Sequence, residues 1–117
     1  MQMDLIGRKD YEDKNRLSID TLTKDIDKNK YMLVINHQPT DYKNESNSNM
    51  DLVLSGHTHV GQLIPLDILS PYVSDNDNVY GYKKINNTNF IVTSGIADWE
   101  IKLKTGCIAE YVIIDIN

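Results

Sequence analysis

A chain of 117 residues, 40% hydrophobic and 25% charged, has the length and make-up of one small globular domain, which excludes a disordered or fibrous class. Its formal charge of -5 carries no basic stripe, since Lys24, Lys28 and Lys30 are interleaved with Asp25 and Asp27, so the sequence has no nucleic-acid footprint. Cys107, the only cysteine, excludes an intrachain disulfide and a thiolate-rich zinc site, and the absence of any run of ~20 apolar residues predicts a soluble chain.

Leu5-Ile6-Gly7 makes a short apolar start, and the polar stretch from Arg8 to Arg16 reads as a loop. Ser18 as N-cap, Asp20 in the first turn and the spacing of Ile19, Leu22 and Ile26 predict a helix over 19–28. Tyr31 to Ile35 is a continuous apolar run of the kind a doubly buried strand requires. Pro39 ends it and leaves His37 at the C-terminal tip. The polar stretch 41–49 reads as a mobile loop, with a short helix as the alternative.

Met50 to Leu54 is a second buried-strand run, ending in Ser55-Gly56-His57-Thr58-His59. Residues 79–85 and 89–93 flank the turn residues Asn86-Asn87-Thr88 and predict a hairpin. Glu110 to Ile116, rich in Tyr, Val and Ile, predicts a last strand. Trp99, Cys107 and the tyrosines Tyr72, Tyr80 and Tyr82 are read as packing or surface residues.

All three histidines of the chain stand at strand-to-loop junctions, where ligands of open α/β sheets collect. His57 and His59 are two apart, and Gly56 lets the backbone turn sharply before them. Imidazole suits Zn, Fe and Mn, so the three form a candidate metal-ligand set. A polar turn that happens to contain His-Thr-His accounts for the residues equally well.

Leu54-Ser55-Gly56-His57-Thr58-His59 with Gly61-Gln62 resembles the Ser-Gly-His-Thr-His-Gly-Gly-Gln signature of calcineurin-like metallophosphoesterases. Asn36-His37-Gln38-Pro39 resembles the His-x-Pro motif that precedes it in that family. Gly7-Arg8-Lys9-Asp10 with Arg16 looks like the Gly-Arg-x-Asp segment of a bacterial branch, many members of which are membrane-anchored. Residues Ser94-Gly95 through Trp99, then Lys104, Gly106 and Glu110, look like its closing strand. Val60 stands where the signature has glycine and Lys104 where arginine is usual.

The resemblance implies an α/β fold, the C-terminal half of a four-layer α/β/β/α sandwich with a mixed sheet. It implies two divalent transition-metal ions (Mn, Fe or Zn), one bound by His37 and His57 and the other by His59, that hold a bridging hydroxide for in-line attack on a phosphoester substrate. The family's Asp-x-His, Gly-Asp and Gly-Asn-His motifs are absent from this sequence. The expectation is therefore a chain that depends on an N-terminal half for its remaining ligands, holds metal at most partially alone and lacks activity by itself. The alternative is a non-catalytic fragment that folds as a homo-oligomer and binds at most one metal.

Overall fold

Tyr31–Ile35 forms a strand because its alternate side chains find cover on one side, with Met32 and Val34 buried against helices. In the computed structural model, which describes residues 1–58, 76–96 and 109–117, this is strand β2 of a five-stranded mixed sheet. The elements run β1 (Met3–Gly7), α1 (Ile19–Thr23), β2 (Tyr31–Ile35), α2 (Tyr42–Asn47), β3 (Leu52–Ser55), β4 (Gly81–Ile85) and β5 (Thr88–Val92). Strand order is β1-β2-β3-β5-β4, with β1, β2, β3 and β5 parallel and β4 antiparallel to β5. The α/β class and the mixed sheet follow directly.

Helices α1 and α2 cover one face. Ile6, Val34, Val53 and Phe90 lie across successive strands and pack with Ile19, Tyr42 and Met50. The Tyr42 ring stacks on Phe90 with centroids 3.9 Å apart. The opposite face carries the alternate residues Leu5, Leu33, Ile35, Leu54 and Ile91, of which Leu5 is 61% and Ile35 47% exposed.

Several sequence expectations are corrected here. The predicted helix over 19–28 stops at Thr23, whose hydroxyl turns back to the Ile19 carbonyl. Asp27 then caps the backbone of Asn29 in a tight turn that no helix can traverse. Its start is as expected, with the Ser18 hydroxyl accepting from Thr21 N–H.

The stretch 41–49 holds helix α2, the short-helix alternative rather than the mobile loop. Three long-range contacts hold it: Tyr42 on Phe90, Glu45 on Arg8, and the Asp77 carboxylate accepting from Tyr42 N–H. The β3 run begins at Leu52, two residues later than expected, and Met50 packs in the core instead. Residues 3–7, read only as an apolar start, form β1 because β2 offers a parallel partner.

The predicted strand over 110–116 is not formed. β-Favouring side chains express fit to a paired sheet, and among the described residues the segment's only backbone bond is Glu110 N–H to the Gly95 carbonyl. It lies over the open face instead, where Ile114 and Ile116 line grooves with Leu52 and Ile91 while Tyr111 and Ile113 stay exposed. Among the described residues no helix is long and apolar enough to cross a membrane.

Candidate metal centre

Parallel strands β2 and β3 end side by side and send His37 and His57 out at the same edge. Two backbone bonds lock these tips together, Asn36 N–H to the Leu54 carbonyl (3.0 Å) and Gly56 N–H to the His37 carbonyl (3.1 Å). His57 then sits at φ 67°, a left-handed conformation that costs a non-glycine residue free energy and turns its imidazole toward His37. Thr58 fixes the far side of the turn, its hydroxyl donating to the Val79 carbonyl.

His57 Nδ1 and His37 Nε2 are 3.1 Å apart, and the rings meet edge-on at 74°. One nitrogen donates to the other. Two nitrogens each ~2.0–2.1 Å from a single ion, at octahedral or tetrahedral angles, stand about 2.8–3.4 Å apart. The observed separation suits two ligands on one ion as well as it suits the N–H···N hydrogen bond, and both side chains are exposed. The pair fits a metal.

His59, the third expected ligand, lies outside the described residues, as do Trp99, Lys104 and Cys107. Among the described residues no group of three or more His, Cys, Asp or Glu side chains is placed to hold a metal ion. Asp10, in the loop after β1, is a carboxylate that interacts electrostatically with both imidazoles. The backbone N–H of Glu12 holds its carboxyl below the ordinary range, aided by Gln38 and by the fields of His37 and His57. Tyr11 N–H donates to the Gln38 side chain, which seats this loop beside His37.

Beneath the tip lies a network that joins Arg8, Arg16 and Asn36, residues of the quoted motifs, to Glu45, which residue patterns did not single out. Arg8 Nη1 pairs with Glu45 at 2.8 Å and Asp41 at 2.9 Å, with its side chain 2% and that of Glu45 0% exposed. Asn36 Nδ2 donates to Glu45 Oε1 and to the Thr40 carbonyl, and Asn36 Oδ1 accepts from Arg16. Burial pushes the Glu45 carboxyl up to about 7, against the opposing pull of Arg8 and Asn36. The only signal in the sequence was the spacing of Tyr42, Glu45 and Ser46, one face of a short helix, in a segment otherwise read as a loop.

The chain is similar to proteins named metallophosphoesterase. It is 36% identical over 109 residues to an uncharacterized metallophosphoesterase of Helicobacter pylori, a match spanning 87% of this chain and 29% of that protein. It is 33% identical over 94 residues to one of Campylobacter jejuni, covering 80% of this chain and 25% of the relative. A bovine protein named transmembrane protein with metallophosphoesterase domain is 32% identical over 85 residues, 67% of this chain and 18% of its own length. No family model matches the chain, and no solved structure matches it significantly. The chain thus spans about 29% of the length of the Helicobacter relatives it matches. These likenesses support the metallophosphoesterase family, whose name denotes phosphoester hydrolysis by a metal-dependent hydrolase.

Proposed function

We propose that this chain supplies the histidine side of a divalent-metal centre for phosphoester hydrolysis. The reading is carried by the 3.1 Å approach of His57 Nδ1 to His37 Nε2 at a strained strand-tip turn. In this reading His37 and His57 share one ion and His59 serves a second, with Mn, Fe or Zn suited to imidazole. Bound divalent ions supply positive charge toward phosphoryl oxygens and lower the pKa of water. That charge matters in a chain with a formal charge of -5. The chain's own part is to present two nitrogens at a fixed separation, held by a backbone that needs no rearrangement on binding. The carboxylate ligands and the acid for the leaving group come, in this proposal, from the remainder of a longer protein.

The open sheet face belongs to the same proposal. Leu5, Leu33, Ile35, Leu54 and Ile91 present an apolar surface suited to a second sheet, as the four-layer sandwich requires. Without such a sheet, burial of this surface favours a homo-oligomer of the chain. A second reading, a non-catalytic single-metal binder, is favoured for the chain alone by the absence of the Asp-x-His, Gly-Asp and Gly-Asn-His motifs from its sequence.

The test is hydrolysis of a nitrophenyl phosphate ester with added Mn²⁺, by this chain and by a longer protein that contains it. Expected are no appreciable turnover from the chain alone, and turnover by the longer protein that His57→Ala abolishes. Full activity of the longer protein after His57→Ala would overturn the reading.

A further inference from the structure

A buried ion pair is weak evidence for stability, because desolvating both charges offsets most of their attraction. Arg8 and Glu45 are nevertheless both almost wholly buried, and the reason lies in what they join. Arg8 follows β1, and its N–H extends the β1–β2 ladder to the Ile35 carbonyl at 2.9 Å. Glu45 sits on α2, and Asn36 is the residue before His37. One carboxylate oxygen, Glu45 Oε1, receives both the Arg8 guanidinium and Asn36 Nδ2, at 2.8 and 3.1 Å.

Asn36 is thereby held at its backbone N–H and at both ends of its side-chain amide. Its N–H goes to Leu54, its amide nitrogen to Glu45 and Thr40, and its amide oxygen accepts from Arg16. A residue so fixed sets the direction in which the chain leaves β2. His37 is the next residue, and its carbonyl is already tied to Gly56. Small rotations at residue 36 would swing His37 Nε2 away from His57 Nδ1.

We propose that Arg8 and Glu45 are positioning residues, a buried strut that acts through Asn36 to hold His37 at ligand-sharing distance from His57. The contact is oxygen-directed, so a neutral group with an oxygen at the Oε1 position serves as well as the carboxylate. The idea rests on the metal-centre reading only for its consequence on metal affinity; the His37–His57 contact itself is a property of the metal-free chain.

The experiment uses the 117-residue chain carrying Arg8→Met with Glu45→Leu, which replaces both buried charges together so that neither of the two is left uncompensated. Nuclear Overhauser contacts between the two imidazole rings, whose centroids lie 4.9 Å apart, report positioning without metal. Calorimetric titration with Co²⁺ reports affinity. The expected result is a folded double variant that loses the ring contact and binds Co²⁺ about tenfold more weakly or worse, with Glu45→Gln retaining both. A folded double variant that keeps the ring contact overturns the strut. If the double variant fails to fold, Arg8→Met alone decides on the same ring contact, its loss in a folded chain supporting the proposal and its retention overturning it. If the unsubstituted chain binds no Co²⁺, metal affinity of the chain without the longer protein fails, while the ring contact still judges the strut.

Discussion

His57 Nδ1 stands 3.1 Å from His37 Nε2 although 20 positions separate them, because the parallel pairing of β2 and β3 brings both strand tips to one edge. Each imidazole should therefore count in metal binding. His37→Ala and His57→Ala are each expected to weaken Co²⁺ affinity by at least about tenfold, with little change in stability because both side chains are exposed. Parallel metal titrations and thermal melts check both halves of the statement.

The left-handed backbone at His57 makes a second prediction. At φ 67° glycine is at ease and a residue with a Cβ is strained. His57→Gly should be more stable than His57→Ala by about 1 kcal/mol while both lose metal affinity. Equal stabilities in urea titration would contradict the strain.

Glu45 couples stability to pH. Its folded carboxyl is raised from 4.5 to about 7 by burial, so between those values the folded chain holds a proton that the unfolded chain has released. The contribution is fully present below pH 4.5 and is lost as pH rises through about 7, a change on the order of 3 kcal/mol. Asp10, Asp13, Asp27 and Glu110 act oppositely at lower pH, since hydrogen bonds from backbone N–H groups hold them below their ordinary values. Glu45→Gln should flatten the slope of stability between pH 5 and 7, read by denaturant titration at several pH values. An unchanged slope would sink the assignment.

Core packing separates the two stacked rings. Phe90 is fully buried under Tyr42, so Phe90→Ala should cost about 3–5 kcal/mol. The Tyr42 hydroxyl is buried without a well-formed hydrogen bond among the described residues, the Asn78 side chain being a weak partner, so Tyr42→Phe should be close to neutral. Thermal denaturation of both variants distinguishes volume from polarity at one contact.

The open face predicts self-association of the chain by itself. Light scattering at micromolar concentration is expected to report a dimer or larger species, shifted toward monomer by Leu5→Glu or Ile35→Glu on the exposed side of β1 and β2. A stable monomer with or without these substitutions would refute it.

By itself the sequence determined the β2 run, the hairpin and the strand-tip places of two histidines. Tyr31 to Ile35 ends in Asn36-His37-Gln38-Pro39, the Asn86-Asn87 turn makes the β4–β5 hairpin, and His37 and His57 stand at tips, because side-chain periodicity and turn chemistry are local. Periodicity reports which face is buried, but not against what. Only the tertiary structure decided that 3–7 pairs with β2, that 42–47 is helical, and that 110–116 lies over a sheet face without joining a ladder. The same holds for Glu45, a charged residue in a polar stretch, whose burial depends on Arg8 from a segment 37 positions earlier. Such pairings are set by long-range desolvation and hydrogen bonding, which no window of neighbouring residues contains.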